Sequence, residues 1–206
     1  IQPVVIQGSR LAQTWWGIAW NRNLERYADY SNRIGRGRSY VRHGAVLDLR
    51  IEPGRVTALV QGSRAKPYQV QIRIRALDPK AWQAITRACA GGFDSVQTLL
   101  AGRFPEALAE LFTAPGQGLF PTPEEIDFDC SCPDWADMCK HVAAALYGIG
   151  ARLDEDPSLF FELRRVKMLD LIGEAVKAAS EQLLEKAGGP SGPVIADADI
   201  ADVFGI

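Results

Sequence analysis

Cys130, Cys132, Cys139 and His141 fall within twelve residues, CSCPDWADMCKH, and no other feature of the chain restricts its folding so tightly. Three thiols and an imidazole are good ligands for zinc, which takes four such donors in a tetrahedron. Only four cysteines occur in 206 residues, too few for a disulfide scaffold, and the crowding of three of them beside a histidine favours a metal. The spacing also dictates local structure. Ile126 and Phe128 alternate with Asp127 and Asp129 ahead of Cys130, an extended approach in which residues two apart share a side, so Cys130 and Cys132 can both face one ion. Residues two apart on a helix diverge by about 200°. Cys139 therefore belongs just before a helix and His141 in its first turn, where the partial positive charge of the helix start, helped by Lys140, favours the thiolates. Four protein ligands leave no open position for water, which marks one structural zinc ion rather than a catalytic one. Two rival readings stay open: reduced, buried cysteines beside an ordinary helix histidine, and a thiol-redox pair of Cys130 and Cys132 without metal.

The rest of the chain divides by its hydrophobic period. Trp16, Trp20, Leu24 and Tyr27 recur at helical spacing behind Thr14 as a cap, giving a helix over 14–28 whose aromatic stripe is core rather than a platform for bases. Leu47, Leu49 and Ile51 alternate with Asp48 and Arg50, and Tyr68, Val70, Ile72 and Ile74 alternate with polar residues, so each run is a strand with one wet face. Val56 to Gln61 lies between them, joined to the first through Pro53-Gly54 at the centre of a type II turn, and an antiparallel meander is the simplest topology. From Asp78 the period becomes helical, with Pro79 as first helical residue and Cys89 buried on the Trp82, Ile85 face. Short helices are expected over 94–101 and 105–112, then a Pro- and Gly-rich loop over 115–123 that marks a boundary. Beyond the cysteine cluster, a short helix from His141 ends at Gly148 and a longer one spans 166–186. Four regions result: a basic β-rich region over 1–77, a helical region over 78–120, the zinc segment over 121–150, and a helical segment with an acidic tail over 151–206. The tail from Val194 to Ile206 has too few apolar groups to order alone, and either the basic half or a partner would hold it.

Charge separates the two ends. Up to Arg75 the chain carries thirteen Lys and Arg against four Asp and Glu, and beyond it ten against twenty-one, so one end suits an anion and the other a basic partner. The run IGRGRSYVR, with Arg36, Arg38 and Arg42, reads as a glycine loop able to approach a phosphate chain, and Arg64 and Lys66 form a second basic loop. Brought together by the meander, the two would make a footprint for DNA or RNA; otherwise they are a solvated surface whose glycines turn the chain. His43 is placed in a loop or at the entry to a strand. The chain has no G-x-x-x-x-G-K-S/T loop, no G-x-G-x-x-G after a strand, no G-x-S-x-G and no H-E-x-x-H, so neither catalysis nor a small-molecule substrate is expected. Nor does any stretch approach the roughly 18 to 20 apolar residues of a membrane span, and the cytoplasm is the expected compartment.

The pattern C-x-C-x6-C-x-H ahead of an apolar helix resembles the SWIM zinc finger, a domain associated with DNA binding or protein interaction. TWWGIAW, GRGRSYVRHG and VQGSRAKPYQVQIRI are similar to runs in bacterial SWIM zinc finger proteins, small companions of Swi/Snf-type helicases, which extends the resemblance over Leu11 to Leu163. It implies an accessory protein whose partner is a Swi/Snf-type ATPase. The expected fold is α+β: an N-terminal antiparallel β-meander with helices, followed by a zinc-organised SWIM module and a C-terminal helix. The expected function is a non-catalytic, zinc-binding adaptor that also contacts nucleic acid, the alternative being a stand-alone DNA- or RNA-binding protein.

Overall fold

A computed structural model describes residues 1–26, 31–89, 98, 101 and 103–187. Helix α1 (Trp15–Glu25) starts where expected because Thr14 accepts a hydrogen bond from the Gly17 N–H at 3.2 Å. Its Trp16, Trp20 and Leu24 are buried, as the stripe requires, while Tyr27 lies outside the described residues. Helix α2 (Ser31–Arg42) overturns the glycine-loop reading of IGRGRSYVR. Ile34, Gly37 and Val41 lie at helical spacing and are buried, and α2 packs along α5 (Lys140–Glu155). Gly37 makes the close crossing possible, since a Cβ there would stand 2.5 Å from the Cβ of Ala143.

The meander follows as read: β1 (Val46–Glu52), β2 (Arg55–Val60) and β3 (Tyr68–Ile74) are antiparallel neighbours. Gly54, at φ 68°, supplies the left-handed position that the tight turn between Glu52 and Arg55 needs. One detail of β1 differs. The register slips between Val46 and Asp48, so Val46 and Leu49 face the core while Leu47 is exposed, contrary to the simple alternation. A fourth strand, β4 (Ile126–Cys130), then pairs antiparallel with β3, giving the order β1-β2-β3-β4.

Asp78 caps α3 (Pro79–Cys89) by accepting from the Lys80 and Ala81 N–H groups at 2.9 and 3.2 Å. Cys89 is buried as expected, and burial pushes its thiol up to about 11. The helix expected over 94–101 lies largely outside the described residues. The one over 105–112 is a 3₁₀ turn (Glu106–Leu108) running into α4 (Ala109–Thr113).

Helix α5 does not stop at Gly148; it runs to Glu155 and ends before Pro157. Gly148 and Gly150 weaken a helix locally, yet both are needed for close packing. A Cβ at Gly148 would lie 2.8 Å from Leu49 Cδ1, and one at Gly150 2.6 Å from Asn21 Oδ1. Helix α6 (Leu159–Arg164) and helix α7 (Met168–Ala187) follow, and α7 is tied to α3 by the Trp82 indole N–H donating to Asp170 at 2.9 Å. The acidic tail lies outside the described residues.

The buried core is continuous from Val4 to Leu171 and includes Trp20, Ile72, Phe112, Val142 and Phe160. The boundaries drawn at 77/78 and 120/121 therefore do not divide it, because β4 and α5 complete the sheet and helix layers begun by the N-terminal half. Among the described residues no helix is long and apolar enough to cross a membrane.

Candidate metal centre

Two elements deliver the ligands as the spacing requires. Cys130 is the last residue of β4, opposite Val70 of β3. The next turn is pinned to β3 by a reciprocal pair: the Ser131 N–H donates to Gln69 O at 3.0 Å, and the Gln69 N–H donates to Ser131 Oγ at 2.9 Å. That fixes where Cys132 emerges. Cys139 is the N-cap of α5, with extended backbone and its Sγ accepting from the Val142 N–H at 3.5 Å. His141, in the first turn, is 3% exposed. Between the two pairs the loop is held by Asp134, which takes a 3.1 Å ion pair from Arg33 of α2.

The four donor atoms lie within 4.8 Å of one another. His141 Nδ1 is 3.9 Å from Cys130 Sγ and 3.8 Å from Cys139 Sγ. A tetrahedral zinc with ordinary bond lengths sets S–N edges of about 3.6 Å and S–S edges of about 3.8 Å, so the donors stand within about 1 Å of closing on one ion. The charge state fits as well. The Cys139 thiol is drawn down to about 4, first by the hydrogen bond from Cys130 and then by the His141 ring and the Val142 N–H. Its partner Cys130 is pushed up by that same hydrogen bond and by burial, and Cys132 is raised by burial. Three crowded thiols cannot all ionise without a cation among them, and a divalent ion supplies that charge.

The family comparison agrees with the geometry. The model of the SWIM zinc finger matches residues 128–148, which contain all four ligands. The chain carries a SWIM zinc finger. It is also 41% identical over 172 residues to the uncharacterized protein Rv2102 of Mycobacterium tuberculosis, a match covering 83% of this chain and 62% of the relative. The chain thus spans less than two thirds of that protein. No solved structure matches.

Aromatic rings wall the SWIM finger. Tyr68 lies against the His141 imidazole with ring centroids 4.3 Å apart, and Tyr40 meets it edge-on at 5.6 Å. With Nδ1 facing the sulfurs, His141 Nε2 is buried without a hydrogen-bond partner. It sits against Gly62, where a Cβ would be 2.9 Å from Nε2 and 2.5 Å from the Tyr68 ring. Lys140, expected to assist the thiolates, instead stands 5.8 Å over the Tyr40 ring, and Arg64 is 5.8 Å over the Tyr68 ring.

The basic residues named from the sequence do not form one patch. As α2 is a helix, Arg36 shares the side of Arg33 and Tyr40, which face the SWIM finger, whereas Arg38 and Arg42 lie on another side. Arg38 donates to the Tyr147 hydroxyl at 2.8 Å and pairs with Glu25, and Arg42 donates to Ser9 O at 3.2 Å. Arg64 and Lys66 belong to the β2–β3 loop beside Tyr68. His43 is exposed just past the end of α2, its Nδ1 2.7 Å from Ser39 O.

Three contributors to the site's frame were missed. Asp154 accepts from the Gln13 and Thr14 N–H groups at 2.9 and 2.8 Å and so joins α1 to α5. Arg164, fully buried, donates to Arg75 O at 3.0 Å and to Glu125 at 2.8 Å, fixing the approach to β4. Trp135, in the finger loop, is 78% exposed. Charge and sequence distance gave no signal for the first two; for Trp135 the signal was a large apolar residue between two aspartates, Asp134 and Asp137.

Proposed function

We propose that the protein is a non-catalytic adaptor of the cytoplasm in which the SWIM finger shapes a docking surface for a protein partner, and that the partner is a Swi/Snf-type ATPase. The carrying observation is Trp135: a 78% exposed indole on a loop whose two ends are zinc ligands. Tryptophan in a fixed loop loses little conformational entropy on binding and supplies a large contact area, which is why it dominates many interfaces. Asp137, exposed beside it, and the acidic balance of the chain beyond Arg75 favour a partner surface with a pocket and a basic rim. The identity of the ATPase rests on the resemblance to bacterial SWIM companions of helicases. All four ligands being protein side chains, the zinc has no position for a substrate, which supports a non-catalytic role.

Native co-purification tests this reading. Wild-type protein should retain a Swi/Snf-type ATPase, and Trp135→Ala should lose it while keeping one zinc per chain and its melting temperature. Retention by the variant at wild-type level removes the loop from the interface. A second reading, stand-alone nucleic-acid binding, is favoured by Arg64 and Lys140 poised over Tyr68 and Tyr40 beside the finger. Tight binding of DNA or RNA by the isolated protein, without the ATPase, would support it.

A further inference from the structure

The side of α2 that faces away from the zinc carries a second feature. There the N-terminal segment, α1, α2 and Tyr147 enclose an open cleft of about 440 Å³ whose lining includes Arg10, Arg22, Arg38 and Arg42. Glu25 is the one carboxylate in that lining, and it is already engaged: Arg38 pairs with it and the Tyr147 hydroxyl donates to it at 3.2 Å. Among the described residues Arg42 donates to the Ser9 carbonyl alone, and Arg10 and Arg22 have no ion pair. Three guanidinium groups thus line one cleft without an ion-pair partner among the described residues, beside a fourth held by Tyr147 and Glu25. Like charges gathered on one concave surface repel, and the arrangement lowers in energy when an anion enters.

We infer that this cleft is a binding site for the phosphodiester backbone of a nucleic acid, separate from the SWIM finger. The inference rests on the nucleic-acid contact proposed above and relocates it. Several features favour a phosphate chain. The arginines stand on three elements around an open cleft, so successive phosphates can each meet a guanidinium fork. Arg38 and Arg42 are one helical turn apart, about 6 Å along the axis, and Arg22 faces them from α1. The excess of thirteen basic over four acidic residues up to Arg75 also puts the wider field behind a polyanion. The guanidinium contacts go to phosphates, so the binding they supply is set by the backbone rather than by sequence.

The test is fluorescence anisotropy of a labelled single-stranded oligonucleotide and of its duplex, over a salt series, with full-length wild-type protein and the triple variant Arg10→Ala/Arg22→Ala/Arg42→Ala. All three side chains are exposed, so melting temperature and zinc content should be unchanged. The expected result is at least tenfold weaker binding at low salt and a slope of log affinity against log salt shallower by about 2 for the single strand and nearly 3 for the duplex. Wild-type binding with an unchanged slope in the triple variant overturns the cleft alone. No binding of either strand by wild-type protein overturns the nucleic-acid contact as well. Displacement of the oligonucleotide by inorganic phosphate at equal phosphate concentration would reassign the cleft to a small anion. Displacement by an equimolar peptide of residues 190–206 would reassign it to an acidic peptide.

Discussion

At its start, α5 is anchored by Cys139 and His141, two buried metal ligands whose clustering is stabilised by a cation. From Leu146 onward it is anchored by α1, whose Trp20 and Trp16 indole N–H groups donate to the Leu146 and Leu153 carbonyls at 3.0 and 2.7 Å while their rings fill the core. One end depends on an ion that can leave, the other on dispersion and apolar burial that cannot be withdrawn without unfolding. A single helix thus joins a module of conditional order to a core of permanent order, and what happens to the first need not reach the second.

The largest effect should come from the permanent end. Trp20 is fully buried and meets Phe160 edge-on at 5.8 Å, so Trp20→Ala should cost about 3–5 kcal/mol in denaturant unfolding and destabilise the finger along with everything else. Selective loss of structure around the finger, with the core intact, would show that the two ends are less separate than drawn. The next largest belongs to the metal. His141→Ala should weaken zinc binding by more than 100-fold, more than the loss of a supporting group causes. Hydrogen exchange should then accelerate over Cys132 to Val142 but not over Leu146 to Leu153, and chelation of zinc from wild-type protein should reproduce the pattern. Uniform acceleration along the helix would merge the two ends into one unit.

Smaller effects sharpen the boundary. Gly62→Ala places a methyl group against Tyr68 and His141 and should cost about 1–3 kcal/mol, with zinc affinity falling as the imidazole is displaced. A loss of stability with zinc affinity unchanged would mean that Tyr68 alone gives way. Asp134→Asn removes the carboxylate that pairs with Arg33, a link only 20% and 19% exposed on its two side chains, and should cost about 1–2 kcal/mol. Its expected signature is faster exchange confined to the loop between Cys132 and Cys139.

The metal end was legible in the sequence because coordination chemistry is local: four donors in twelve residues, with spacings that force a strand before and a helix after. The meander was legible because alternation is local too. Helix α2 was not, since Gly35 and Gly37 look like loop residues until Ala143, more than a hundred positions away, shows that Gly37 marks a close helix crossing. Gly148 misled in the same way, read as a helix end when it makes room for Leu49. The Leu47 bulge and the long-range partners of Asp154 and Arg164 share that cause: each is decided by what lies opposite, not by its neighbours in the chain.

The sheet has two margins where backbone groups could recruit a foreign strand. Along β1 the margin is partly occupied by the chain itself, through the Val4 N–H donating to Val46 O at 3.1 Å and the Leu49 N–H donating to Gln2 O at 3.0 Å. Along β4 no such cover is described, and protection falls to brevity and repulsion: five residues, two of them the exposed Asp127 and Asp129, ending abruptly at Cys130. A metal at that terminus does more than shape a loop. Four ligands closing on one ion would fix Cys130 as the end of the strand, and so limit the length of this margin open to edge-to-edge pairing.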